Sequence, residues 1–286
     1  MNLKNRLQTH LTHIVRDRDP YIASLGHFFV QQYIREQFEQ WGSVEIHTFD
    51  VGGKSCQNLI LNLPGTSHAT KVDLPPILIG AHYDAVPGSP GADDNATGVA
   101  VLLELARMFA SNPIKHPVRL VAFDMEEYGL LGSAAYAAKL KAENQPLRLM
   151  ISLEMLGYCV KTPNSQLYPP PLEKIYPDRG DFIALIGNWR TLRDLIGISR
   201  SIRKVGIPSQ WLPVPNRGLI VRETRRSDHA PFWDAGYAAM MITDTAHMRN
   251  PHYHQASDAI ATLDMDFLTG VCEGLEIGIR KLQKLS

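Results

Sequence analysis

The stretch Ile77-Leu-Ile-Gly-Ala-His82-Tyr-Asp84, running on into Gly91-Ala-Asp93-Asp94-Asn95-Ala-Thr-Gly98, decides how the rest of the chain is read. A short apolar run bounded by turn residues reads as a buried strand. This one delivers His82 and Asp84 at its C-terminal end, the edge at which open α/β sheets keep their sites. A Pro/Gly/Ser loop from Val86 to Gly91 then leads to Asp93, Asp94 and Asn95 at the start of a helix. Imidazole and carboxylate groups suited to divalent metals thus recur between His82 and Asp94. The segment reads as half of a metal site whose other half lies elsewhere in the chain.

Outward from this stretch, strand and helix alternate. Ile77 to Ala81 is expected as strand. Thr97 to Ala110 is expected as a helix with Val99, Leu102, Leu103, Leu105, Ala106 and Phe109 inward. Val118 to Phe123 follows as strand, Leu130 to Ala142 as an Ala-rich helix, and Leu147 to Leu153 as strand again. Such alternation predicts a mostly parallel sheet with helices on both faces. The right-handed crossover rule puts the loops after its strands on one edge.

Upstream, residues 1–41 carry apolar positions at helical spacing: Leu3, Leu7, Leu11, Ile14 and Val15, then Phe28, Phe29, Tyr33, Ile34 and Phe38 after Asp19-Pro20. Both helices read as packing elements with no chemistry. Val44 to Val51 and Gln57 to Leu63 flank Gly52-Gly53 as a hairpin. Downstream, residues 162–181 break the pattern with Pro163, Pro169, Pro170, Pro171 and Pro177 beside Tyr168 and Tyr176. A segment this long and Pro-rich reads as an insertion shaping the site or as a lid. Phe182 to Ile186 is then strand, Trp189 to Lys204 helix and Ile207 to Val214 irregular or strand. Asp228 to Asp234 is a short helix, Ala238 to Thr243 strand, and Asp264 to Leu282 the terminal helix. The fold class expected is α/β: a three-layer α/β/α sandwich around a central mixed, mostly parallel sheet, as one domain over residues 1–286.

Bulk properties narrow the function classes. Lys+Arg and Asp+Glu are both 29, so no net field draws the chain to nucleic acid or an anionic membrane. No apolar run approaches the ~20 residues that span a bilayer. Cys56, Cys159 and Cys272 are scattered, which argues against a disulfide framework and leaves no C-x-x-C metal pair. Met1 to Arg18 lacks the apolar core of a secretion signal, so a soluble cytoplasmic protein is expected.

Chemistry-bearing residues fall at strand ends or in the loops that follow. Asp84 stands two residues beyond His82, where a carboxylate can receive the second N–H of a metal-bound imidazole. Helix capping accounts for one of Asp93, Asp94 and Asn95, not readily for all three. Glu126 and Glu127 follow a buried strand, where uncompensated carboxylates are costly. One as ligand and its neighbour as general base is a division of labour that metal-assisted hydrolysis requires. Glu154 ends the strand from Leu149, and His254 lies in Asn250-Pro-His-Tyr-His254-Gln-Ala-Ser-Asp258 with His252. Asp228-His229 is a candidate for the pocket wall, with helix capping by Asp228 as the alternative. Each has a bland structural alternative; their joint placement on one sheet edge favours a paired-metal site.

These segments, AHYD (81–84), GADDNATG (91–98), EEYGLLGS (126–133), SLEMLGY (152–158), SDHAPF (227–232) and NPHYHQASD (250–258), resemble the co-catalytic di-zinc aminopeptidases. That family also takes in glutamate carboxypeptidase-like enzymes and glutaminyl cyclases. The resemblance spans roughly residues 44–285 and implies a zinc-exopeptidase (phosphorylase/hydrolase-like) fold. It implies two zinc ions (Zn2+) per chain, held by His82, Asp94, Glu127, Glu154 and His254. Asp94 would be the bridge, Glu126 the general base and Asp84 the partner of His82. It further implies a cis Asp94–Asn95 bond, with Glu154 standing where aminopeptidases of the family usually carry Asp. The activity implied is a metallo-aminopeptidase acting on peptide or aminoacyl small-molecule substrates, with no nucleic-acid or membrane partner. A single-zinc acyltransferase like glutaminyl cyclase and a non-catalytic binding module stay open as alternatives, as does the oligomeric state.

Overall fold

The computed structural model describes residues 1–66, 74–170 and 172–282, so Pro171 of the Pro-rich segment and the last residues of the family resemblance lie outside it. Helices α1 (Leu3–Ile14) and α2 (Ser24–Glu39) come first, then the hairpin of β1 (Val44–Val51) and β2 (Lys54–Leu63). The alternating part follows: β3 (Ile77–His82), α3 (Gly98–Ser111), β4 (Val118–Phe123), α4 (Leu131–Ala142) and β5 (Leu149–Glu154). The last third holds β6 (Ile183–Asn188), α5 (Leu192–Lys204), β7 (Ser209–Val214), α6 (His229–Asp234), β8 (Ala239–Thr243) and α7 (Met265–Lys281).

All eight strands join one sheet in the order β1-β2-β4-β3-β5-β8-β6-β7. The central pairs β3–β4, β3–β5 and β5–β8 are parallel, as is β6–β7. β1–β2, β2–β4 and β6–β8 are antiparallel, so the sheet is mixed with a parallel centre. Every residue of β3, β5 and β8 is buried, the pattern of strands covered on both faces. One face packs against α1, α2, α3, α5 and α7 through Ile79, Leu102, Leu120, Ile198 and Leu275 among others. The other packs against α4 and α6 through Leu78, Val121, Tyr136, Phe232 and Trp233. Three layers result, and the sandwich expected from the alternation is the one found.

Small differences have local causes. β3 runs one residue further, to His82, because His82 pairs with Phe123 of β4. The second hairpin strand begins at Lys54, opposite Val51, since the turn takes only Gly52 and Gly53, both with positive φ. Trp189–Thr191 forms a separate 3₁₀ turn before α5. Residues 162–181 contain a 3₁₀ turn, Leu172–Lys174, and are pinned at their base by a bridge between Val160 and Gly180. No helix among the described residues is long and apolar enough to cross a membrane.

Candidate metal centre

The parallel core strands end on one edge, and their ends carry the site. His82 closes β3, Glu154 closes β5, and Glu126 and Glu127 sit in the turn after β4. Asp94 lies in the π-helical turn Ala92–Thr97 ahead of α3, and His254 in the loop after β8. The Asp94–Asn95 bond is cis.

Two donor triads share Asp94. His82, Asp94 and Glu154 each offer a ligand atom within 4.8 Å of one another, and so do Asp94, Glu127 and His254. The two oxygens of Asp94 address different imidazoles: Oδ1 is 3.3 Å from His82 Nε2 and Oδ2 is 3.2 Å from His254 Nε2. His254 Nε2 is also 3.2 Å from Glu127 Oε2. His82, Glu126 and Glu127 form a third grouping. Near His82 Nε2, Glu154 Oε1 at 3.6 Å is closer than Glu126 Oε2 at 3.9 Å. Glu154 is also the better anchored: Ser227 Oγ donates to its Oε2 at 2.7 Å and stands 2.8 Å from Ser152 Oγ. Far from marking the surface, Glu154 is buried.

Unmet hydrogen-bonding capacity collects at this point. His82 Nε2, His254 Nε2 and Glu127 Oε1 are buried with no hydrogen-bond partner. Buried polar atoms are nearly always satisfied, so a cluster of orphaned nitrogen and oxygen donors facing one another fits a cation held between them. Their charges answer each other. Burial opposes protonation of His254, but Asp94 and Glu127 carry it up to about 10. Burial likewise works against His82, yet Glu126, Glu154, Asp84 and Asp94 lift it well above its usual range. Asp94, though buried, is held low by His254 and His82. Burial, reinforced by neighbouring carboxylates, pushes Glu127 up to about 7 and Glu126 well above the usual range.

Asp84 ties the halves together. Its Oδ1 lies 3.4 Å from His82 Nδ1 and accepts the backbone N–H of Glu126, while Oδ2 accepts that of Glu127, both at 3.1 Å. Of the acidic cluster, Asn95 Oδ1 does cap, accepting Gly98 N, and also receives Met155 N. Asp93 accepts Gly157 N and Asn250 Nδ2, and so braces the loops rather than entering the centre. His252 instead bonds Ser257. Asp228 makes no capping bond; it is buried, and burial drives its carboxyl up to about 7. His229 turns away, bonding the Thr224 carbonyl and meeting Trp233 edge-on.

Further residues surround the centre. Asp258 accepts the N–H groups of Asp93 and Asp94. Arg18, from the segment between α1 and α2, donates to the carbonyl of Asp94 itself. Arg226 donates to the Tyr253 hydroxyl, and the Tyr253 ring stacks on His254 at 3.8 Å between centroids. Sequence reasoning gave these four no role. Asp258 and Tyr253 lay within a quoted stretch, but Arg18 binds only backbone carbonyls, which no motif specifies.

The cavity in front of the centre is lined by Asp94, Glu126, Glu127, Leu130, Glu154, Arg226, Tyr253 and His254. Past Glu154, Arg226 and Tyr253 it adjoins a recess with Met241, Thr243 and Met248. Beyond that lies an apolar pocket walled by Tyr168, Pro169, Leu172 and Tyr176 of the Pro-rich segment against Phe182, Trp211 and Leu212. The insertion therefore borders a neighbouring chamber and not the donor cluster.

Known proteins resemble this chain in sequence and in fold. The sequence pattern of Peptidase family M28 matches residues 58–183, the span from β2 to β6. The Escherichia coli (strain K12) protein YfbL, itself uncharacterized, is 37% identical over 85% of this chain and 77% of its own. Aminopeptidase YwaD of Bacillus subtilis (strain 168) is 31% identical over 72% of this chain but only 41% of its own. Among solved structures, LapA of Legionella pneumophila superposes with a TM-score of 0.73 over 97% of this chain and 72% of its own; at 20% identity that is a likeness of fold. A structure described as BSAP, a zinc aminopeptidase from Bacillus subtilis, gives a TM-score of 0.59 at 26% identity, over 81% of this chain and 51% of its own. With the parallel core, the clustered strand-end donors and a relative matched over most of both lengths, the chain belongs to peptidase family M28, hydrolases of peptide bonds.

Proposed function

We propose that this protein is a zinc aminopeptidase that removes the N-terminal residue from peptide or aminoacyl substrates, with two zinc ions held about Asp94. The observation that carries the reading is the pair of donor triads sharing that carboxylate. His82, Asp94 and Glu154 would hold one ion; Asp94, Glu127 and His254 the other. Nitrogen and oxygen donors of this kind suit zinc. Bound there, the metals supply Lewis-acid polarisation of the scissile carbonyl and a water of lowered pKa.

The remaining steps belong to the side chains. Glu126 belongs to neither of these two triads, lines the cavity, and is held to a high proton affinity by burial and its neighbours. It takes the proton of the attacking water and returns it to the leaving amine. Asp84 anchors the N–H groups of both glutamates, so base and ligand move as one unit. Tyr253, stacked on His254, restrains the imidazole. The recess beside Glu154, and past it the apolar pocket walled by the Pro-rich segment, receive the side chain of the substrate's first residue. A single-zinc acyltransferase would leave one imidazole–carboxylate group of this pair idle, and a binding module would have no use for either. With Cys56, Cys159 and Cys272 all unpaired, the cytoplasm is the compartment proposed.

The test is zinc analysis together with hydrolysis of aminoacyl amides. Two zinc ions per chain are expected, with activity abolished by a chelator and restored by zinc. Glu126→Gln is expected to keep its metal and lose roughly 10²–10⁴-fold in kcat. Activity in Glu126→Gln equal to that of the wild type would remove the base; a chain that takes up no zinc would remove the centre.

A further inference from the structure

We propose that residues 18–27, the end of the segment joining α1 to α2 together with the first turn of α2, form a positioning strap for the metal centre. In it Arg18 fixes the loop that carries Asp94, and His27 fixes the turn that carries Glu126 and Glu127. The inference rests on the zinc reading above and assigns chemistry to a part of the chain that, by sequence, only packs.

Arg18 is fully buried, and among the described residues its guanidinium meets no carboxylate oxygen directly. Its Nε donates to the Tyr83 carbonyl at 2.8 Å, Nη1 to Pro90 at 2.6 Å, and Nη2 to Gly91 at 2.9 Å and Asp94 at 3.1 Å. Nη1 also reaches the Arg16 carbonyl at 3.3 Å. An apolar side chain could fill this volume without the desolvation cost of a buried cation. What it could not do is bind, with one rigid fork, the residue between His82 and Asp84 and the loop leading to Asp94. Contact is close enough that Gly91, at φ 59°, has no room for a side chain: a Cβ there would lie 2.3 Å from Asp94 O and 2.7 Å from Arg18 Nη2. The backbone of Asp94 is thus held by its N–H on Asp258 and by its carbonyl on Arg18. Burial lowers the proton affinity of Arg18, and the charges of Asp94, Asp258, Asp84 and Glu127 oppose this, so cation and acidic site sustain one another.

The same segment grips the glutamate turn from both sides. Ahead of the turn, His27 Nε2 donates to Asp124 Oδ1 at 2.7 Å, and that oxygen also accepts the N–H of Met125. Behind it, the Tyr128 hydroxyl donates to Asp19 Oδ2 at 2.6 Å, and the Tyr128 ring meets Tyr21 edge-on. Asp19 Oδ1 is meanwhile engaged by the N–H groups of Tyr21 and Ile22, which fixes its own direction. Glu126 and Glu127 lie between these two holds.

Arg18→Lys and His27→Gln in the full chain test the proposal, with Phe28→Ser, exposed on the same helix, as control. The measurements are zinc retention against a competing chelator, kcat and KM on an aminoacyl amide, and melting of the metal-free proteins. Arg18→Lys is expected to fold and to release zinc about tenfold more readily, the scale on which supporting partners of metal ligands act. His27→Gln is expected to lower kcat about tenfold with KM changed by less than about twofold, because it displaces the base rather than the pocket. Phe28→Ser should match the wild type in both. If both variants hold zinc and turn over like the wild type and differ only in melting temperature, the segment is packing and the proposal falls. Should Arg18→Lys fail to fold, the kcat of His27→Gln decides alone. A wild-type chain that takes up no zinc overturns the underlying reading, and does so before any substitution is made.

Discussion

Glu154 reaches into the centre with one oxygen while the other is held by Ser227. A longer side chain than Asp at this position can be accommodated because Ser227 and Ser152 supply a buried hydroxyl pair for the second oxygen. Glu154→Ala is therefore expected to lower zinc content from two toward one per chain and to abolish most activity, as metal analysis beside kinetics would read. Ser227→Ala should be milder, about tenfold in zinc affinity or kcat, since it disturbs only the support of a ligand. Unchanged metal and rate in Glu154→Ala would remove it from the ligand set. At this scale the sequence was legible as to placement: the side chains of His82, Asp94, Glu127, Glu154 and His254 come together in two groups that share Asp94. It was illegible where the partner is backbone. The bonds of Asp258 to two N–H groups and of Arg18 to carbonyls depend on loop paths that no spacing encodes.

Elements were read well where burial is two-sided, because continuous apolar runs such as those of β3 and β5 have no other stable setting. Residues 162–181 were not, since prolines set local direction without saying what the segment packs against. The structure lays it against β6 and β7, with the Tyr176 hydroxyl donating to the Trp211 carbonyl at 3.0 Å. Leu172 faces the apolar pocket so formed. Leu172→Asp is expected to cut kcat/KM about tenfold for substrates with large apolar first residues and to leave alanyl substrates nearly unchanged, in line with the 1–3 kcal/mol that pocket contacts discriminate. Equal losses on both would show that the pocket does not take part in selection. Beneath the site, Gly80 of β3 leaves its space to Phe123: a Cβ would come within 2.3 Å of the ring. Gly80→Val should overpack this contact and cost about 2 kcal/mol in urea unfolding; a smaller effect would mean that the β3–β4 pair yields easily.

Across the whole molecule, acid sensitivity has an identifiable source away from the metal centre. Burial pushes His229 down to about 3, whereas in the unfolded chain it titrates near 6.5. Between those values the unfolded state binds a proton that the folded state refuses, so stability is lost on acidification, by up to about 1.4 kcal/mol per pH unit. Glu104, which is buried yet held down to about 2 by His10, Arg6 and Arg107, adds a loss of the same sign below its ordinary value of 4.5. Urea titrations of metal-free protein between pH 6.5 and 4.5 should give a shallower slope for His229→Gln than for the wild type; identical slopes would place the acid response elsewhere. The fold class followed from alternation alone, but the order of strands did not, because β8 is last in sequence and yet sits between β5 and β6.

That insertion has a consequence for how the chain comes off the ribosome. Until residue 243 has been made, β1-β2-β4-β3-β5 and β6-β7 are two unconnected sheets, each with an open edge facing the gap. N-terminal parts fold first during synthesis, so once β7 is made the nascent chain holds both edges exposed while α6 and the loops around it are still emerging. β8 closes both at once, and His254 and Asp258 follow within fifteen residues of its end. Sealing the sheet and completing the donor set are one late event, so a chain halted before it is both the most prone to self-association and unable to complete the centre.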